Sequence, residues 1–148
     1  MNRLEFRLDI DSVFPLLEYA RPLMEELNEE LASLNSPPEE DELISEFWSS
    51  DLMNSQRKDL AAIATLFDDD FLETGRAAVD EDDADLVLRG CAALRLKLRQ
   101  HALGEISDEI LESGEFEIEE LSQEQRIGYA AYALFASLQE LIISQLEL

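Results

Sequence analysis

The chain opens on alternation: Leu4, Phe6, Leu8 and Ile10 fall on one side, Glu5, Arg7 and Asp9 on the other. A period of two predicts a half-buried β-strand over residues 3–10. The backbone N–H and C=O groups of such a strand need a partner. The alternating stretch Glu115-Phe116-Glu117-Ile118-Glu119 offers one, with its acids facing Arg3 and Arg7 across a two-stranded ribbon. A second copy of residues 3–10 is the rival partner.

Helical spacing then takes over. Asp11 and Ser12 are good caps for a first helix, and Pro15 is tolerated in its opening turn. Pro22 removes one helical hydrogen bond, so residues 12–34 are expected to kink or break near Arg21. Leu23, Leu27, Leu31 and Leu34 follow as a buried stripe, ended by Asn35-Ser36-Pro37-Pro38. A short helix over 39–48 is expected to bury Leu43, Ile44, Phe47 and Trp48. Ser49 or Ser50 caps a third helix whose apolar face is Leu52, Met53, Leu60, Ile63, Ala64, Phe67 and Phe71, with Thr74-Gly75 at its end. A fourth helix opens at Asp80-Glu81-Asp82-Asp83 and runs to about Ala102, stopped by Gly104, with Val87, Cys91, Leu94, Leu98 and Ala102 as its apolar arc. A short amphipathic stretch over 105–113 carries Ile106, Ile110 and Leu111. Ser122 with Gln125 three residues on reads as a capping box before a long C-terminal helix. The pattern therefore predicts an all-α, single-domain bundle of about five helices spanning 1–148, with a minor ribbon pairing 3–10 with 115–119.

The last helix is apolar on two sides. Ile127, Ala131, Leu134, Leu138, Leu141 and Ile142 share one face, while Tyr129, Tyr132, Ala136 and Ile143 lie roughly opposite. Such a helix is either the centre of the bundle or half buried against another chain. The second account makes Tyr129, Tyr132 and Ile143 interaction residues and leaves a homodimer through this helix as an open alternative.

Charge narrows the function classes. Thirty-five acidic residues against eleven basic ones give a formal net charge of −24. That field repels nucleic acid and anionic membrane and attracts basic protein surfaces and cations. Hydrophobic residues make up 46% of the chain, enough for a core, so this is not the composition of a disordered acidic tail. With only Lys58 and Lys97 as lysines, adaptation to high salt explains the same composition. The lone Cys91 excludes an intramolecular disulfide, and the first seven residues are charged where a signal peptide needs an apolar stretch. The most apolar segment, 128–143, is interrupted by Ser137, Gln139 and Glu140 and falls short of a membrane span of about 20 residues. A soluble cytoplasmic protein is expected, binding neither nucleic acid nor membrane.

Candidate chemistry is sparse, and no catalytic motif is present. Arg95 projects at the edge of the fourth helix's apolar arc, where a guanidinium needs a partner, so a structural ion pair is expected there. An anion site at Arg95 and Arg99 is the lesser reading. His101 is the single histidine, and Cys91 lies mid-helix as an inert buried thiol. The acidic clusters at 39–42, 68–70 and 80–85 do not fit an EF-hand loop, and negative charge at helix starts offsets the dipole. Glu25, Glu26 and Glu29 reproduce the EExxE half of the Mg²⁺ motif of all-α nucleotide pyrophosphatases, but the ExxD half is missing from 39–60.

Residues 46–67, the segment LRGCAALRLKLRQHAL (88–103) with its Arg95-Leu96 pair, and the end YAAYALFASLQELI with Leu138-Gln139-Glu140 resemble a bacterial family of acidic helical proteins, one of the domain-of-unknown-function families. The resemblance covers about two-thirds of the chain. Where that family shows Trp in its last helix, this chain has Tyr129, Tyr132 and Phe135. The resemblance implies an acidic helical protein without an established activity. Genes of that family often neighbour a Clp protease adaptor gene, which implies protein interaction rather than chemistry. The expectation is thus a non-enzymatic, adaptor or regulatory interaction module without a cofactor, engaging a basic or apolar protein partner. A DNA mimic is one form of it; the alternative is a Mg²⁺-dependent pyrophosphatase-like enzyme.

Overall fold

The computed structural model describes residues 3–33 and 56–146. The order is β1 (Arg3–Arg7), α1 (Ile10–Ser33), α2 (56–66), α3 (Asp69–Thr74), β2 (Arg76–Asp80), α4 (Glu81–His101), α5 (Asp108–Ser113), a 3₁₀ turn (Ile118–Glu120) and α6 (Gln123–Leu146). This is the all-α bundle with a minor ribbon that the spacing predicts. The helix expected over 39–48, its Leu43, Ile44, Phe47 and Trp48, and the caps Ser49 and Ser50 lie outside the described residues.

The ribbon's second strand is corrected. β1 pairs antiparallel with β2, Arg3 opposite Asp80 and Arg7 opposite Arg76, not with residues 115–119. Ala77 and Val79 alternate with Arg76, Ala78 and Asp80, a pattern of small residues too weak to read as a strand. The 115–119 stretch is instead taken up by the wall of α6: Phe116 meets the Tyr129 ring edge-on, with centroids 4.8 Å apart, and the chain then curls into the 3₁₀ turn. Gly75 makes the ribbon feasible. It caps α3 with φ at +75°, and a Cβ there would lie 2.7 Å from the Leu8 carbonyl oxygen. Its own carbonyl accepts from Leu8 N–H at 2.8 Å.

Helix α1 runs unbroken through Pro22, where a kink or break is expected from sequence. Glu18 and Pro22 are both exposed, so the Glu18 carbonyl that loses its donor faces water. The third predicted helix is divided at Phe67-Asp68, because the Asp68 side chain accepts from Phe71 N–H at 3.0 Å and starts α3. Its neighbours Asp69 and Asp70 fill the first turn of α3, and Glu81, Asp82 and Asp83 that of α4. The Ser122 capping box forms reciprocally: Gln125 N–H donates to Ser122 Oγ at 3.1 Å and Ser122 N–H to Gln125 Oε1 at 2.9 Å.

Helices α4 and α6 form the centre, with α1 packed on both and the ribbon laid against them. Val87, Cys91, Leu94 and Leu98 of α4 are buried as expected, and meet Ala131, Phe135, Leu138 and Ile142 of α6. The 24-residue α6 is long and apolar enough by length and composition to cross a membrane, against the shorter apolar segment read from sequence. Here its buried stripe belongs to the core of the bundle.

Cys91 sits in that core, fully buried, and burial pushes its thiol up to about 12 from 9.0, the nearby Arg95 charge offsetting part of the rise. Native-state alkylation at pH 8 should run at least about 100-fold slower than in denaturant. The folded state holds this proton more tightly than the unfolded chain does. Its stabilisation is therefore complete below about pH 9 and is lost as pH rises towards about 12, at about 1.4 kcal/mol per pH unit. Tyr19, raised by burial and by Glu124, loads the same alkaline limb. Denaturant melts of wild type and Cys91→Ala at pH 8 and 10.5 isolate the thiol, and the variant should show the flatter decline.

Candidate functional site

Among the concave surfaces of the described residues, one combines apolar walls with an acidic rim. Along α1, Phe14, Leu17, Glu18, Arg21, Glu25 and Asn28 recur at helical spacing, a stripe beside the core-facing Val13, Ala20 and Leu23. Opposite stand Ile63 and Ala64 from α2, then Phe67, Asp68, Asp69 and Leu72 around the start of α3. Between them lies a groove of about 520 Å³, floored by Ala20, Ile63 and Phe135. Phe14 is 42% exposed at its mouth, and Phe67 is braced by an edge-on contact with the buried Phe71 at 5.0 Å. Glu18, Glu25, Asp68 and Asp69 ring the groove against the single guanidinium of Arg21. That guanidinium is already bound to Glu18 at 2.9 Å. An apolar floor under a carboxylate rim can take a segment that is apolar on one side and cationic at its edges.

The residues singled out from sequence are placed elsewhere. Tyr129 is half-buried under Phe116, and the Tyr132 hydroxyl accepts from Arg95 Nη2 at 2.9 Å, with the guanidinium carbon 4.6 Å from its ring centroid. Ile143 is 46% exposed. The three lie on one side of α6 but do not share an open face.

The ion pair expected at Arg95 is replaced by neutral partners. Nη1 donates to Gln139 Oε1 at 2.6 Å and Nη2 to Tyr132, while the buried Nε makes no hydrogen bond. Gln139 is fixed in turn by donating from Nε2 to the Leu88 carbonyl at 2.9 Å. Tyr132 and Gln139 both project from α6 onto α4, and between them they take both terminal nitrogens of the guanidinium. Among the described residues the buried carboxylate is Asp59 on α2, 5% exposed, gripped by Arg89 through Nη2 at 3.2 Å and Nε at 3.3 Å to each oxygen. Arg99 is likewise taken up internally, by Asp108 at 2.9 Å and by the Leu103 carbonyl. An anion site at Arg95 and Arg99 therefore finds both guanidiniums engaged.

Glu25, Glu26 and Glu29 are exposed on α1. Glu25 belongs to the groove rim, and Glu26 pairs with Lys97 Nζ at 3.5 Å. Among the described residues, no three His, Cys, Asp or Glu side chains converge to hold a metal ion. His101 meets Glu124 at 3.3 Å, and the same carboxylate oxygen accepts from the Tyr19 hydroxyl at 3.4 Å, so the trio ties α1, α4 and α6 together at the surface.

The groove was missed in the sequence because its two walls are far apart in the chain. Phe14, exposed just off the core stripe of α1, and Phe67, half-buried just past the end of α2, are the residues that mark it. No family model, no curated protein and no solved structure matches the chain.

Proposed function

We propose that this chain is a non-enzymatic acidic interaction module, of the adaptor or regulatory type, working in the cytoplasm. Its partner is a basic amphipathic helix of another protein, seated in the groove between α1, α2 and α3. The observation that carries the reading is the pairing of an apolar groove, open at the exposed Phe14, with four rim carboxylates. Apolar burial supplies the affinity, and the rim selects cationic flanks and speeds encounter. The net charge of −24 extends the same preference over the whole surface.

A fluorescently labelled leucine–lysine amphipathic peptide, titrated by anisotropy, tests it against a leucine–glutamate peptide of equal length. The basic peptide should bind and the acidic one should not. Affinity should fall at least about tenfold between 0.1 and 0.5 M salt as screening shortens. Because a chain this acidic attracts any polycation, the deciding comparison is between variants. Phe14→Gln with Glu25→Lys should weaken binding at least about tenfold, whereas Glu109→Lys with Glu112→Lys on α5 should leave it within about twofold. Equal losses in the two double variants, or no saturable binding, would overturn the groove as the site.

A further inference from the structure

Among the described residues, β1 is an edge strand with one side of its backbone unpaired. Leu8 N–H bonds the Gly75 carbonyl, and in that register the side of β1 facing β2 carries the backbone groups of Leu4, Phe6 and Leu8. Those of Arg3, Glu5 and Arg7 point the other way, where no further strand is paired among the described residues. Burial is lopsided to match. Ala77 and Val79 of β2 are buried, whereas Leu4, Phe6 and Leu8 of β1 remain half-buried. An open edge of this kind invites a further strand unless its charges forbid one.

We infer that the open edge of β1 is a homodimer surface, pairing antiparallel with β1 of a second copy to build a four-stranded sheet β2-β1-β1′-β2′. The occupant follows from charge and parity. Outward-pointing residues must pair with outward-pointing ones, so the residue numbers of opposed partners sum to an even number. Sums of 10 and 14 set Arg3 against Arg7 with Glu5 against Glu5, and Arg7 against Arg7 with Glu5 against Asp9. A sum of 12 sets Glu5 against Arg7, twice by symmetry, with Arg3 opposite Asp9 just beyond the strand, where the Asp9 carbonyl already starts α1. On the core side it places Phe6 against Phe6 on the dyad and Leu4 against Leu8, covering the half-buried residues. A sum of 8 is also complementary, through Arg3 and Glu5, but among the described residues it overlaps only 3–5. Inside one chain Arg7 faces Arg76, a like-charge pair directly across the ribbon. The dimer gives Arg7 a carboxylate.

Sedimentation equilibrium of the full chain from about 1 to 500 µM, in 0.15 M salt, tests it. There the screening length of about 8 Å confines the repulsion between two highly acidic chains to near neighbours. The mass should rise with concentration from 16.8 kDa towards twice that value. Glu5→Arg alone and Arg7→Glu alone should each stay monomeric, since each sets like charges against each other in the 12-sum register. Mixed one to one they should dimerise again. The arginine introduced in one variant then meets the glutamate introduced in the other, and the unchanged Arg7 of the first meets the unchanged Glu5 of the second. Far-UV circular dichroism confirms that both variants fold. A monomer at every concentration overturns the inference. So does a dimer indifferent to both substitutions, which would point to another face such as that around Ile143. A dimer lost in Glu5→Arg but kept in Arg7→Glu overturns the 12-sum register in favour of the 8-sum one.

Discussion

Gly90→Val should lower the melting temperature by about 9 °C, through a loss of about 3 kcal/mol. Gly90 lies where α4 crosses α2, and a Cβ at that position would sit 2.6 Å from the Asp59 carbonyl oxygen and 2.7 Å from Ile63 Cγ1. The first of these is backbone and cannot swing aside, so the two helices must part. Parting them also loosens the grip of Arg89 on the buried Asp59 carboxylate, only one residue along α4. Gly90→Ala meets the same oxygen but recovers about 1 kcal/mol of helix propensity, so its cost should be smaller. Gly104→Ala is the control: the nearest atom to its Cβ would be 3.4 Å away, and its stability should stay within about 0.5 kcal/mol of wild type. Thermal melts of the three variants check the order. A Gly90→Val protein as stable as Gly104→Ala would mean that α2 and α4 do not approach this closely.

Phe135→Ala should cost about 4 kcal/mol, or about 12 °C in melting temperature. The ring is 1% exposed, belongs to the central stripe of α6, and touches the underside of the groove between α1 and α2. Truncation leaves a void that rigid helices on several sides cannot collapse. Phe135→Leu keeps most of the volume and should lose about 1.5 kcal/mol or less. Urea melts give the stability, and the peptide titration gives a second readout. In a folded Phe135→Leu protein the groove floor is altered while the carboxylate rim stays intact, so peptide affinity should fall without a change in its salt dependence.

Local signals were legible wherever a residue's own neighbours decide its conformation. The β1 alternation, the apolar arc of α4, the Thr74-Gly75 stop and the Ser122 capping box all act within four residues of themselves. The misreadings share a cause. Pro22 was expected to disturb α1 on local grounds, yet its solvent-facing position leaves the helix running. Arg95 was rightly marked as needing a partner, but Tyr132 and Gln139, 37 and 44 residues away, were not legible as that partner. Asp59, one carboxylate among thirty-five, gave no sign that it would be buried.

By itself the sequence determined the helical class, the core face of α4, the half-buried first strand and the strongly negative field; of the α6 face it marked Ala131, Leu138 and Ile142 but not the central Phe135. These follow from periodicity and composition, which need no knowledge of what lies across the fold. Only the tertiary structure decided that β1 pairs with residues 76–80, that Arg89 rather than Arg95 meets a carboxylate, and that Phe14 and Phe67 face one groove. Each of those outcomes depends on the distance between residues far apart in the chain, and helix packing, not local propensity, sets that distance.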